Sequence, residues 1–329
     1  MTPKALINAF RIDRTGKGTA LSGDEFATSF PSAGEGEYLW VHLDWMEPGV
    51  AALLTEKAGL EASIVETLAT RGTRPTVLFY DHGYSMNLRG VNLNKESDPA
   101  DMISVRIWCS DKLVITLRNQ HMRAFEDIRA SIAEGTAPTS SDDFVLTLAE
   151  RLIFRIDAEI RTIEENLDDL EDEIEEVPET KTLPLRLKTA DMRHRLSRLR
   201  RHIAPQRDAL AKFFDQKPTW EDKIHKRRAR TLTDRVTRLV EELDSLRERI
   251  QIANDSLMAV ETERMNRTMY WLTVIAGLFL PISFVTGLLG VNVGGIPAAD
   301  NTWGFWGVSI ILALLVGLEV WLFKKMRLI

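Results

Sequence analysis

Asp255, Ala259, Thr262, Asn266, Met269, Thr273, Ala276, Leu280, Ser283, Gly287 and Gly290 recur at alternating steps of four and three residues. That spacing puts them in one column along a helix. From residue 266 on, the column is small or oxygen-bearing, interrupted by Met269 and Leu280. Its neighbours are Leu, Ile, Phe and Val. Oxygen-bearing side chains in such a helix turn toward protein or water rather than hydrocarbon. Lining a water-filled path, Asn266, Thr273 and Ser283 would offer oxygens to a hydrated cation, and Met269 and Leu280 would be apolar constrictions. Close helix packing through small residues explains the same column equally well. Residue types alone leave both readings open.

The elements around this column belong to a membrane. Residues 268 to 323 contain two charged side chains, Asp300 and Glu319, and the chain before them is densely charged. Two apolar stretches, 268–289 and 303–323, each reach the roughly 20 residues that cross a bilayer. Tyr270 and Trp271 mark one interface, Trp303 and Trp306 the other, and Trp321 the first again. Arg264 and Arg267 precede the first span, and Lys324, Lys325 and Arg327 follow the second. The connecting segment has no Lys or Arg. The positive-inside rule then places both termini in the cytoplasm. The N-terminal residues have no long apolar core, so no cleaved signal is expected. Two spans cannot enclose a conduit, so a pore would need several copies in a ring.

Length, at 329 residues, allows about two domains. A net charge of −6 argues against nucleic acid as a partner. One cysteine, Cys109, excludes a disulfide framework or a thiolate zinc cluster within one chain. Residues 1–140 alternate β-rich runs (5–11, 38–43, 77–79, 84–93, 103–108, 112–117) with helical patterns (49–58, 62–70, 122–134), predicting a mixed α/β domain. Residues 141–267 read as helix throughout, capped at Ser141-Asp142, running to Val177 and again over 185–214. From Thr219 to Ala276 no Gly or Pro interrupts the pattern, so one helix is expected to run directly into the first span. Its apolar seam (Leu232, Val236, Leu239, Leu243, Leu246, Ile250, Leu257, Val260) has coiled-coil-like spacing. It fits packing between copies or within one. The remaining segments are the first span (268–290), an outer loop (291–302), and the second span with its basic tail (303–329).

Other chemistry is sparse. His194 and His202 lie eight residues apart, about 12 Å along a helix, too far to hold one metal ion. His42, His82, His121 and His225 have no ligand spacing, and Cys109 reads as a small buried residue. Nine acids and no base lie between Glu164 and Glu176, opposite in charge to the basic runs at 186–207 and 223–230. These are solvated faces, cross-helix pairs, or a lure for divalent ions. Asp300 in the outer loop and Asp255 on the column would steer cations. Glu319 lies near Trp321 and Lys324 and reads as a side chain snorkelling toward a basic neighbour. Gly16-Lys17-Gly18-Thr19 lacks phosphate-loop spacing, and no hydrolase, metalloprotease or dinucleotide motif is present, so no enzyme and no cofactor are expected.

One motif narrows the field. Gly290-Val291-Asn292 follows the first span within GLLGVNVGGIP. An Asn amide there could hydrogen-bond the waters of a cation, and Gly290 could permit unusual φ and close approach. With two terminal spans and a long helix leading into the first, the chain resembles the CorA superfamily of divalent-cation transporters. Val291 in place of the Met of most magnesium-transporting members, followed by Val293 to Pro297, is similar to the ZntB zinc-transporter branch. The resemblance implies a homopentamer with a cytosolic funnel in the bacterial inner membrane, its pore lined by the first span and entered past Gly290, Val291 and Asn292. It also implies zinc as the transported substrate, coupled to protons and most simply inward. A magnesium or cobalt channel of the same fold, zinc efflux, and a membrane-tethered scaffold are the alternatives.

Overall fold

The computed structural model describes residues 4–28, 30–70, 74–175, 182–216, 223–291 and 301–325. The chain divides into two compact units: Met1–Glu176 with Leu183–Asn254, and Val177–Thr182 with Asp255–Ile329.

The first unit is built on a seven-stranded sheet. Its strands are β1 (Leu6–Asp13), β2 (Gly18–Ala20), β3 (Glu37–Asp44), β4 (Thr76–Tyr80), β5 (Gly83–Gly90), β6 (Ile103–Ser110) and β7 (Leu113–Arg118). Their order is β2-β1-β3-β7-β6-β5-β4. Every neighbouring pair is antiparallel except β3 and β7, which are parallel, as a mixed sheet requires. Two-residue turns close β4 to β5 and β6 to β7, pairing Tyr80 with Gly83 and Ser110 with Leu113. Parallel pairing of β3 with β7 needs a long crossover, and the intervening chain supplies it.

Alternation along the strands builds two faces. Leu39, Val41, Leu43, Ile115 and Leu117 pack under α2 (Val50–Ala52, continued by a π-helical turn Leu53–Lys57) and α3 (Ala62–Ala69). Trp40 and His42 point the other way, against Phe125 of α4 (Arg123–Ala133), and Trp40 also meets Phe144 of α5 (Ser141–Glu175). His42 is buried, with its Nδ1 2.7 Å from the Thr116 hydroxyl oxygen. Burial, with nearby Arg118, lowers its pKa to about 3. It is a core residue. Beyond the expected elements there are β2 and a four-residue α1 (Glu25–Thr28), both too short to show a period. The α5 cap sits one residue earlier than expected: the Ser140 hydroxyl accepts from the Asp143 N–H at 3.1 Å.

Three long helices complete this unit: α5, α6 (Thr182–Gln216) and the start of α7 (Lys223–Leu289). Phe144, Leu148, Leu152, Ile156, Ile160 and Ile163 form the buried stripe of α5. Leu232 through Ile250 of the α7 seam, and Leu257 beyond it, are buried within this single chain, and Val260 is half-buried. From Leu232 to Ile250 the seam is therefore filled by the first unit's own helices, as in ordinary amphipathic packing, and needs no second copy to cover it. Arginines of α7 fix its register on α5. Arg228 reaches Asp143 and Glu150, each at 2.6 Å, Arg235 meets the buried Asp157, and Arg249 meets Asp168 and Glu171. Each exposed pair contributes little stability, but together they fix one register. Gln206 of α6 performs a different task. The pairing of β4 with β5 ends at Asn87, and the Gln206 amide accepts from the Arg89 N–H (2.6 Å) and donates to its carbonyl (3.2 Å).

The second unit contains the end of α7 and α8 (Gly304–Lys325), two helices long and apolar enough to cross a membrane. Helix α7 is continuous through Pro281. N-terminal α/β sheet domain, long helices and two C-terminal apolar helices make the expected fold class.

Candidate functional site

Helix α7 presents two different stripes in its apolar half. Tyr270, Val274, Leu278, Pro281, Ile282 and Val285 are half-buried. On α8 the covered positions are Gly304, Val308, Ser309, Leu312, Leu315, Val316, Glu319 and Phe323. These stripes meet, because a Cβ on Gly277 would lie 3.0 Å from Cζ of Phe323. The absence of a side chain at Gly277 thus allows α8 to approach.

The chemical column lies elsewhere. Asn266, Met269, Thr273, Ala276, Leu280, Ser283 and Gly287 are all exposed in the single chain. From Met269 to Gly287 each precedes or follows a covered position by one or two residues, and one residue is about 100° of helix rotation, whereas Asn266 lies a full turn before the first of them, Tyr270. Helix α8 is therefore not the partner that would cover the column. Asp255, Ala259 and Thr262 continue it, also exposed. Thr273 donates its hydroxyl proton back to the Met269 carbonyl at 2.8 Å, and Thr262 does the same to Met258 at 2.8 Å. With the proton committed to the helix, each hydroxyl oxygen faces outward as an acceptor, the polarity a cation or its waters require.

At the end of α7 the motif is only partly placed. Gly290 donates its N–H to the Thr286 carbonyl at 2.9 Å and closes the helix. Its φ is not in the left-handed region, so the backbone there does not use the freedom a glycine permits. A Cβ on it would stand 3.1 Å from the Thr286 carbonyl oxygen of its own helix. Val291 is exposed. Asn292 and Asp300 lie outside the described residues.

Glu319 departs from expectation. It is 9% exposed, on the α7-facing stripe of α8, and neither carboxylate oxygen has a hydrogen-bond partner. Snorkelling to a basic neighbour is thereby overturned. Lys325 instead sets its ammonium over the Trp321 ring, 5.1 Å from the centroid. The signal available in the sequence was the spacing of Glu319 four residues before Phe323, which puts both on one face.

In the first unit the acidic run is divided between pairing and solvent. Asp168 and Glu171 meet Arg249, Glu173 meets Lys188 at 2.7 Å, and Glu164, Glu165, Asp169, Asp172 and Glu175 are exposed. His202 is half-buried, and burial together with Arg89 and Arg201 lowers its pKa to about 4. Among the described residues no three His, Cys, Asp or Glu side chains gather as a metal site.

Comparison with known proteins decides the family. A family model described as "CorA-like Mg2+ transporter protein" matches residues 35–325. The chain belongs to the CorA family. Within the CorA family it is 38% identical to the divalent cation transporter CmaX of Pseudomonas aeruginosa over 294 residues, 88% of this chain and 87% of that protein. It is 32% identical to the zinc transport protein ZntB of Pectobacterium atrosepticum over 321 residues, 98% of this chain and 95% of that protein. The structure of full-length CmaX superposes with a TM-score of 0.83 at 34% identity, covering 98% of each chain. CorA-family membership also accounts for the absence of enzyme motifs, since its members are ion transporters.

Proposed function

We propose that this protein carries zinc across the bacterial inner membrane as a homopentamer, with both termini cytoplasmic and uptake coupled to protons. As a CorA-family chain it is a divalent-cation transporter and not an enzyme. The observation that carries the pore reading is the column on α7. It is oxygen-bearing or small except at Met269 and Leu280, runs the length of the span, and is left uncovered while α8 occupies a different stripe. In a ring of copies the column becomes the wall, with Asn266, Thr273 and Ser283 as oxygen rings and Met269 and Leu280 as constrictions. Gly290, Val291 and Asn292 form the outer entrance, and Asp300 and Asp255 steer cations at the two ends. The long helices of the five subunits form the cytosolic funnel. The transported ion passes largely hydrated, because the column offers amide and hydroxyl oxygens and no thiolate or imidazole.

Zinc is favoured over magnesium by Val291 and the Val-Gly-Gly-Ile-Pro that follows it, and by 32% identity to a ZntB protein along nearly the whole chain. The higher identity to CmaX, a divalent cation transporter by name, supports a second reading: a broad divalent-cation channel of the same fold. Ion flux into proteoliposomes, with and without an imposed pH gradient and with magnesium in parallel, separates them. Zinc flux that grows with the gradient, with little magnesium flux, is the expected result. Magnesium flux equal to zinc and indifferent to pH contradicts the zinc reading.

A further inference from the structure

We propose that Glu319 is the group that binds the transported proton; this rests on the proton-coupled reading above. It is the one carboxyl in α8, and the apolar half of α7 over 268–289 has none. It sits on the α8 stripe that faces α7, nine-tenths buried, with both oxygens lacking hydrogen-bond partners. A charge without a partner in such surroundings is costly, and ionisable groups inside a membrane are functional by default. Among the described residues no basic side chain bonds either oxygen. On α7, residues 268–289 include no Asp, Glu, Lys, Arg or His, and Tyr270 is the one titratable side chain. On α8, Lys324 and Lys325 lie five and six residues further on, and Lys325 is over Trp321.

The position of Glu319 links it to the pore helix. Phe323 packs on Gly277, so Glu319, one helical turn away, stands at the level of Pro281. Pro281 has no N–H to give the Gly277 carbonyl, which leaves an acceptor on α7 near this turn. The step is simple: one carboxylate oxygen takes a proton from water, an O–H bond forms, and no other bond changes. On release the proton returns to water on the cytosolic side. Water reaches the carboxylate when α7 and α8 part at this contact, and parting them moves the wall of the pore. Proton occupancy and cation passage are thereby tied to one movement.

The test uses the full chain in proteoliposomes, with zinc flux measured with and without an inward proton gradient. Wild type, Glu319→Gln and Glu319→Asp are compared. Glu319→Gln is expected to lose all stimulation of zinc flux by the gradient, and Glu319→Asp to keep the stimulation. Glu319→Gln stimulated like wild type overturns the proposal and leaves proton coupling standing. Wild type without stimulation removes the coupling and the proposal with it. Should Glu319→Gln not assemble, infrared titration of the other two proteins decides. A protonated-carboxyl band that shifts between Glu319 and its Asp variant supports the site, and no such band at any pH overturns it.

Discussion

Ala276→Lys is expected to stop divalent-cation flux. Ala276 lies on the uncovered column, between Thr273 and Leu280, so in a ring of copies each subunit would place an ammonium in the wall. At a separation of about 6 Å and an effective dielectric of about 20, one lysine opposes a dication by roughly 5 kcal/mol. Even if each lysine bends toward an interface and relieves most of that, flux falls at least about a hundredfold. Ala276→Ser, which adds only an oxygen, is expected to keep flux near the wild-type level. Isotope uptake into proteoliposomes, with oligomer size checked by native mass spectrometry, measures both. Undiminished flux in Ala276→Lys with an intact oligomer would remove residue 276 from the conduction path.

Gly277→Leu fails differently, although the two positions are adjacent. Its Cβ would already stand 3.0 Å from Cζ of Phe323, so the rest of the side chain has nowhere to go unless α8 moves. Overpacking of this kind costs about 1–3 kcal/mol per subunit. Loss of thermal stability and of the assembled state is expected, with flux lost as a consequence. Phe323→Ala in the same chain is expected to restore much of both, because it empties the space the leucine needs. A double variant no more stable than Gly277→Leu alone would mean that the α7–α8 contact is not what residue 277 serves. The pair of positions thus separates two faces of one helix: 276 governs passage and 277 governs packing.

Much of this was legible from residue types and spacing. A continuous α7 follows from the run without Gly or Pro after Thr219, and the sheet from β-rich runs separated by turn signals such as Asp81-His82-Gly83 and Ser110-Asp111. The column was visible as a period, because oxygen-bearing side chains in an apolar helix stand out. What the period could not tell was which stripe α8 would take, since that depends on contacts between residues far apart in the chain. Gly277 is meaningful only against Phe323, forty-six residues later, and Glu319 only once α8 has chosen the face it turns to α7. The seam from Leu232 to Ile250 was ambiguous for the same reason: spacing shows that a stripe is covered, and only packing shows that α7's own chain covers it. Short elements such as β2 lack enough residues to carry any period.

The central claim is that the column on α7 faces water in the assembled protein. Cysteines placed one at a time along 268–289 and exposed to a membrane-impermeant, positively charged thiol reagent test it most directly. The native Cys109 is buried, so its background labelling is low. Thr273→Cys, Ala276→Cys and Ser283→Cys are predicted to react and, once modified, to lose cation flux, while Leu272→Cys, Ile275→Cys and Phe279→Cys stay unlabelled with flux intact. Labelling confined to the second set, or labelling of the first set without loss of flux, would contradict a conduction path along this face.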